Sequence, residues 1–436
     1  MNLASLKPRA ALRSGAGRQP RRPGHSTGGA TLLVVGGLAL VLMSLAAFSQ
    51  RHLLSGLQLS DTHTRTAKAF EAAQAGIDWA LVRLNHRGAV DAHCRPSSSP
   101  EAPSFADRLL QPRSTSPVGG APPLPRAGAR CVASAEPWPC ECGPPGRTVD
   151  TPPATRQGAE PAHFNVQLLS SAHGNPDRLQ LVSYGCQGST PPCHDDNAAS
   201  SNSNREAVSR LQVTLARMPA LAQAPVAALT VRGALTLGGS PWRIDNEQGL
   251  AVHTGGAVSA TALTARGAPG SPASSAQWHD ASLGQQPADV AFASMLRVPR
   301  ATWPQLPSVR RVACRSACDS ALREAMAPDA VATLLWLDGG LHVDRPLTLG
   351  TPARPVVLVS DGPVVLRASL VVHGMVYALS PDWSAVAGSV VHGAVVAEGS
   401  LRGQGVQQVR YDSAVLSRLQ TEDGTWLRVA GSWKDF

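Results

Sequence analysis

Lysine is nearly missing from this chain of 436 residues, which carries only Lys7, Lys68 and Lys434, and aromatic residues make up just 4% of it. With no basic stripe, no zinc-finger spacing and too few rings to stack bases, nucleic-acid binding is not expected. The net charge of +9 does not revive it. Lys7, Arg9, Arg13, Arg18, Arg21 and Arg22 all fall in the first 29 residues, which hold no Asp or Glu, and the rest balances 33 basic against 30 acidic residues. Charged residues total only 16% beside 43% hydrophobic, which excludes a disordered chain. No nucleophile elbow, P-loop, dinucleotide fingerprint or HExxH is present, and the C-terminal strands lack the acidic clusters of glycan-cleaving β-helices. No catalysis, cofactor or metal site is therefore expected. A periplasmic polysaccharide-active enzyme is the weaker alternative.

Long apolar runs are equally scarce, with one exception. Residues 30 to 49 (ATLLVVGGLALVLMSLAAFS) are uncharged and long enough to cross a hydrocarbon core as a helix. Basic residues precede the run, so the positive-inside rule places the N-terminus in the cytoplasm and everything after Gln50 outside the membrane. Ala47-Phe48-Ser49 would suit a cleaved secretory signal instead. Leu53, Leu57, Phe70, Ile77, Leu81 and Leu84 nevertheless recur at roughly helical spacing with no Pro up to about Asn85, which predicts a membrane helix that continues as an amphipathic one.

All eight cysteines, Cys94, Cys131, Cys140, Cys142, Cys186, Cys193, Cys314 and Cys318, follow the apolar run, as disulfides in an oxidising compartment require. Short spacing suggests Cys186 with Cys193 and Cys314 with Cys318, leaving Cys94, Cys131, Cys140 and Cys142 to pair among themselves. A metal site on Cys140-Glu141-Cys142 lacks a second close pair. The segment CHDDN (His194, Asp195, Asp196, Asn197) lacks the alternation of a calcium loop.

The basic leader, a Gly just before the apolar helix, and AFEAAQAGIDWAL at residues 69 to 81 together resemble a type IV prepilin, and more narrowly the PilX-type minor pilins. The resemblance implies cleavage by a prepilin peptidase between Gly29 and Ala30, with Gly28 as the nearest competitor, and methylation of the new N-terminus. It implies as partners other major and minor pilins, the peptidase, the inner membrane and a tip adhesin. It also implies a single-pass inner-membrane protein with its bulk in the periplasm or in an extracellular pilus. Pilins typically carry Glu at the fifth mature position, where this chain has Val34, so a bulk shaft subunit is not expected. A membrane-anchored β-helical adhesin or envelope scaffold that never enters a filament is the alternative.

With 40 Gly and 36 Pro, the exported part reads as short strands and turns. Residues 86–130 are too rich in Pro, Ser and Gly for regular structure, whereas HFNVQLLSS, RLQLVSYGC and VSRLQVTLARM within 131–218 read as the strands of a pilin-like β head. Beyond Ala228, Val/Leu strands are punctuated by Gly, and Val371-Val372-His373-Gly374 returns as Val390-Val391-His392-Gly393, 19 residues on. Val357, Val376 and Val395 fall on the same offset. This period predicts a β-solenoid at 225–419, with SAVLSRL capping its last open edge and His373 stacked on His392. An antiparallel sandwich is the alternative. The fold class is thus α+β, mostly β: leader 1–29, transmembrane and amphipathic helix 30–85, loop 86–130, antiparallel head 131–218, β-helix-like solenoid with cap 225–419, and C-terminal tail 420–436.

Overall fold

The computed structural model describes residues 28–91, 94–99, 102–110, 127–132, 140–143, 162–170, 177–187, 207–239, 241–327 and 333–435. The leader up to residue 27, Cys193, the CHDDN segment and much of the Pro/Ser-rich loop lie outside the described residues. The chain divides into two compact units, through His63 and from Thr64 onward.

The first unit contributes the opening part of helix Gly28–Asn85. Within it Leu32–Gln50, 19 residues, is long and apolar enough to cross a membrane. At 1.5 Å per residue that is about 28 Å, close to a hydrocarbon core.

In the second unit the rest of this helix is buried along Ala69, Ala72, Ala73, Ile77, Ala80 and Leu84. The face differs from the expected stripe: Phe70 and Leu81 are only half-buried, and Leu57 is exposed. The reason is close approach. A Cβ on Gly185 would lie 2.0 Å from the Ala69 carbonyl and 2.2 Å from the Ala73 nitrogen, so the helix rests on strand backbone through its smallest residues. Trp79 fills the flank, tilted against Phe164 at 6.0 Å and edge-on to Phe105 at 5.3 Å.

The sheet beneath is antiparallel, in the order Cys140–Gly143, Ala127–Val132, Ala162–Ser170, Arg178–Gln187, Ala207–Pro219 and Gly424–Arg428. Its last member corrects the expected tail, since Lys434–Asp435 also pairs with Ala207–Pro219. Trp426 carries the correction: it is buried in the head core, and Asn85 binds its backbone on both sides, Nδ2 to O at 2.9 Å and N to Oδ1 at 2.8 Å. The loop is also less irregular than expected. Ser104 and Asp107 form a reciprocal cap (Oγ to Oδ2 2.7 Å, Asp107 N to Oγ 3.1 Å) that starts helix Phe105–Leu110 and buries Phe105.

Pro219 and Gly424 are register partners, so residues 220–423 are inserted between two neighbouring head strands. Among the described residues every pairing between strands of the insertion is parallel, which excludes the antiparallel sandwich. One sheet runs Val258–Ala260, Leu235–Leu237, Leu401–Gly405, Asp382–Ala385, Val364–Leu366, Leu341–Val343. The other contains the row Gln277–His279, Leu250–Thr254, Ala227–Val231, Val390–Ala397, Leu370–Ala378, Val356–Ser360, Leu334–Asp338, Val309–Ala313. Apolar side chains of both sheets, among them Leu235, Trp242, Leu358, Val376 and Leu401, share one core.

Three details depart from expectation. The order is not sequential, because Ala227–Val231 lies beside Val390–Ala397. The repeat slips by one residue, with Leu358 rather than Val357 opposite Val376. Helix Ser413–Thr421, capped by Asp412, does not close an open edge. It buries Leu416 and Leu419 with Met375, Tyr377, Ala394 and Val396, on the side of the sheet away from the shared core.

Burial pushes Asp423, at the return to the head, up to about 6, with Arg87 at 3.1 Å pulling it back. Its contribution to stability is therefore complete below the ordinary carboxylate value of 3.8 and is lost as pH rises through about 6. Denaturant midpoints of the full chain in detergent should show this fall between pH 4 and 6, and Asp423→Asn should flatten it. Replacing residues 220–423 by an Asn-Gly turn should leave a folded head with the pairs Cys94–Cys142 and Cys131–Cys140, as read by circular dichroism and peptide mapping.

Candidate functional site

Two features stand apart from packing: the apolar half of the N-terminal helix and the repeated histidine corner. Gly29 and Ala30 lie in the first turn of helix Gly28–Asn85, and Val34, Leu32, Leu33 and Val35 are 66 to 78% exposed. The described residues from Leu32 to Gln50 bury nothing within the chain. Such a surface needs lipid or another protein to cover it.

Six cysteines pair as Cys94–Cys142, Cys131–Cys140 and Cys314–Cys318, with Cα separations of 5.4, 4.2 and 5.0 Å. Cys186 is disulfide-bonded as well, and the pairing expected for it with Cys193 lies outside the described residues. Cys140 and Cys142 each bond elsewhere, so Cys140-Glu141-Cys142 offers no thiolate pair. The two head bridges pin strand Cys140–Gly143 to its neighbour and to the segment after the helix, and each should contribute about 2–4 kcal/mol.

The Val-Val-His-Gly repeat is a corner. Strand Leu370–Ala378 pairs with Leu347–Leu349 through Val372 and with Val356–Ser360 from Gly374 onward, so it changes neighbour at His373-Gly374. Gly374 and Gly393 have φ of 148° and 138°, and a Cβ on either would fall within 2 Å of a carbonyl on the strand below. The histidines before them are register partners whose rings stack at 4.8 Å and 11°. Arg410 continues the row beside His392. Burial lowers the His392 pKa, with His373 and Arg410 acting in the same direction and Asp412 opposing. Among the described residues no group of three or more His, Cys, Asp or Glu side chains is arranged to hold a metal.

Sequence reading missed a second polar group. Arg300 pairs with Glu398 at 2.8 Å and with Asp289 at 3.3 Å, and His253 stacks on Trp278 at 4.6 Å. No spacing signal links these residues: register pairs His253 with Trp278, whereas Arg300 reaches Glu398, and Asp289 reaches Arg300, from the segment that connects Gln277–His279 to Val309–Ala313.

No family model matches the chain, and no curated protein matches it. Among solved structures, the competence-associated pilin ComZ from Thermus thermophilus aligns over 86% of this chain and 98% of its own, at 12% identity and a TM-score of 0.22. At that score the likeness carries no argument of its own.

The corner yields a pH dependence. Because the folded His392 pKa is depressed, its contribution is complete above the ordinary histidine value of about 6.5 and is lost as pH falls through the folded value. The thermal midpoint of the full chain should fall on acidification from pH 7 to 5, and His392→Gln should reduce that slope.

Proposed function

We propose that the chain is a minor pilin-like subunit of a type IV pilus system, acting in assembly, priming or tip display rather than in catalysis. One observation carries the reading: helix Gly28–Asn85 is apolar and exposed over Leu32–Gln50, yet alanine-lined and buried on an antiparallel sheet from Ala69 to Leu84. The first half suits the inner membrane and, after extraction, the packed helices of other major and minor pilins. The second half holds a disulfide-bonded head on the periplasmic side. The PilX-type resemblance places a prepilin peptidase among the partners, cutting between Gly29 and Ala30.

The inserted parallel region is read as a β-helix-like solenoid displayed by that head. Val34 shapes the role. Without a carboxylate there, the subunit cannot neutralise a neighbour's charged N-terminus in an apolar filament core, where an unpaired charge is costly. A position at the tip or in the priming complex avoids the penalty. Val34 also favours a second reading, an anchored adhesin or scaffold that stays out of filaments.

Coexpression with a prepilin peptidase tests the first reading. The mature chain should begin at a methylated Ala30, and Gly29→Ala should abolish the shortening; an N-terminus at Met1, or at Gln50, overturns it. Quantitative proteomics of sheared pili separates the two roles. A scarce subunit fits tip or priming, and absence from pilus and assembly-complex fractions fits the scaffold.

A further inference from the structure

The two ends of the parallel region are finished differently. At one end the edge strands are Val309–Ala313, Leu341–Val343 and Leu347–Leu349, and helix Asp319–Ala325 covers the core beside them. Leu322 and Ala325 of that helix are fully buried in the shared core, as are Leu341, Val343 and Leu349. The Cys314–Cys318 bridge fastens this cover, together with hydrogen bonds to Asp319 Oδ1 from the Asp344 and Arg345 nitrogens, both at 3.0 Å.

At the other end the edge strands are Val258–Ala260, Leu263–Arg266 and Gln277–His279, each with one strand neighbour among the described residues. Register sets Val258 and Ala260 beside Leu235 and Leu237, Leu263 and Ala265 beside Trp242 and Ile244, and Gln277 beside Val252. Those five partners lie in the shared core, so the edge side chains point the same way. Yet Val258 is 40% exposed, Gln277 is exposed, and Ala260, Leu263 and Ala265 are only half-buried. Trp278 lays one face on His253 at 4.6 Å and is still 53% exposed. The core is open to solvent here.

A single charge guards this end. Residues 256–279 contain Arg266 alone, against Arg310, Arg311, Arg315, Asp319, Arg323 and Glu324 in residues 309–326 at the sealed end. Exposed edges are ordinarily protected by charge, proline or a covering element, and depletion of charge marks the centre of a contact surface. The occupant must serve three strand edges and the apolar core between them. One extended peptide would pair one edge and leave the core open, and a helix would cover the core and leave the edges unpaired. Another end of the same kind supplies both. The sealed end cannot, so head-to-tail stacking is excluded and a two-fold contact remains, which closes at a dimer with its edges antiparallel. The chain carries a net charge of +9, so copies repel generally, but two open ends meet with only Arg266 from each. We propose that the open end docks on the open end of a second copy, covering Val258, Leu263 and the free face of Trp278. The membrane helix takes no part, so the contact does not rest on the pilus reading.

Sedimentation equilibrium of the full chain in detergent tests the contact. The parent should pass from monomer to dimer with concentration. Val258→Arg and Leu263→Arg would each bury an unpaired charge and should weaken the dimer more than about tenfold, whereas Thr348→Arg, exposed near the sealed end, should not. A monomer at every concentration, or a dimer that the two core-edge variants leave unchanged, overturns the proposal. Spin labels on the otherwise unaltered edge read the geometry even if those variants fail to fold. Labels on Ser259→Cys should lie closer between copies than labels on Thr348→Cys, and the reverse order overturns the proposal.

Discussion

The antiparallel pairing of Ala207–Pro219 with Gly424–Arg428 is the constraint from which the rest of the architecture follows. It fixes the first and last residues of a long insertion side by side. A parallel stack that adds each strand to the same edge starts at one end and finishes at the other, so it cannot begin and end at one place. The chain meets the condition by starting in the middle. From Ala227–Val231 it advances through Leu250–Thr254 to Gln277–His279, passes to the opposite end at Val309–Ala313, and returns through Leu334–Asp338, Val356–Ser360 and Leu370–Ala378 to Val390–Ala397, beside its own first strand.

Two consequences follow from that route. The passage between the ends must span the seven spacings of an eight-strand row, about 34 Å at 4.8 Å per spacing. Phe292, Leu296, Trp303 and Leu306 on this passage bury the face carrying Trp336, Val359, Tyr377 and Val396, so the connection doubles as a cover. A seam is also unavoidable, because strands more than 150 residues apart must pair there. Such contacts close a long loop, but closure entropy grows only logarithmically with length, so the cost over a shorter insertion is small. The Arg300 ion pairs and the Arg232 hydrogen bonds sit at this seam, where the covalent chain gives no help.

Legibility in the sequence tracked how local each cause was. The apolar run, the helix through Asn85 and the stacked histidines were readable because each rests on periodicity or a literal repeat. The alanine face carries no such signal, because a stripe of large apolar residues marks burial in sequence whereas close approach to Gly185 selects small ones. The Ser104 and Asp107 cap was a legible four-residue signal hidden in a Pro/Ser-rich stretch. The return of Trp426 to the head could not be read, since Asn85 and Trp426 meet only through a pairing 341 residues apart. The one-residue slip at Leu358 has a local origin instead: the corner at His373-Gly374, not the period, sets the register.

The insertion also bears on the proposed division of labour. The head keeps its own core, from Ala73 and Ile77 to Trp426, while the parallel strands keep theirs, from Leu229 to Val409. With separate cores, substitutions on the displayed region need not disturb the helix that would enter a membrane or a filament. Two adjacent strands attach the insertion, and Asn85, Arg87 and Asp423 brace that attachment from the helix side. A single linker would let the inserted region swing, whereas two paired strands restrict that motion, as the proposed display role requires.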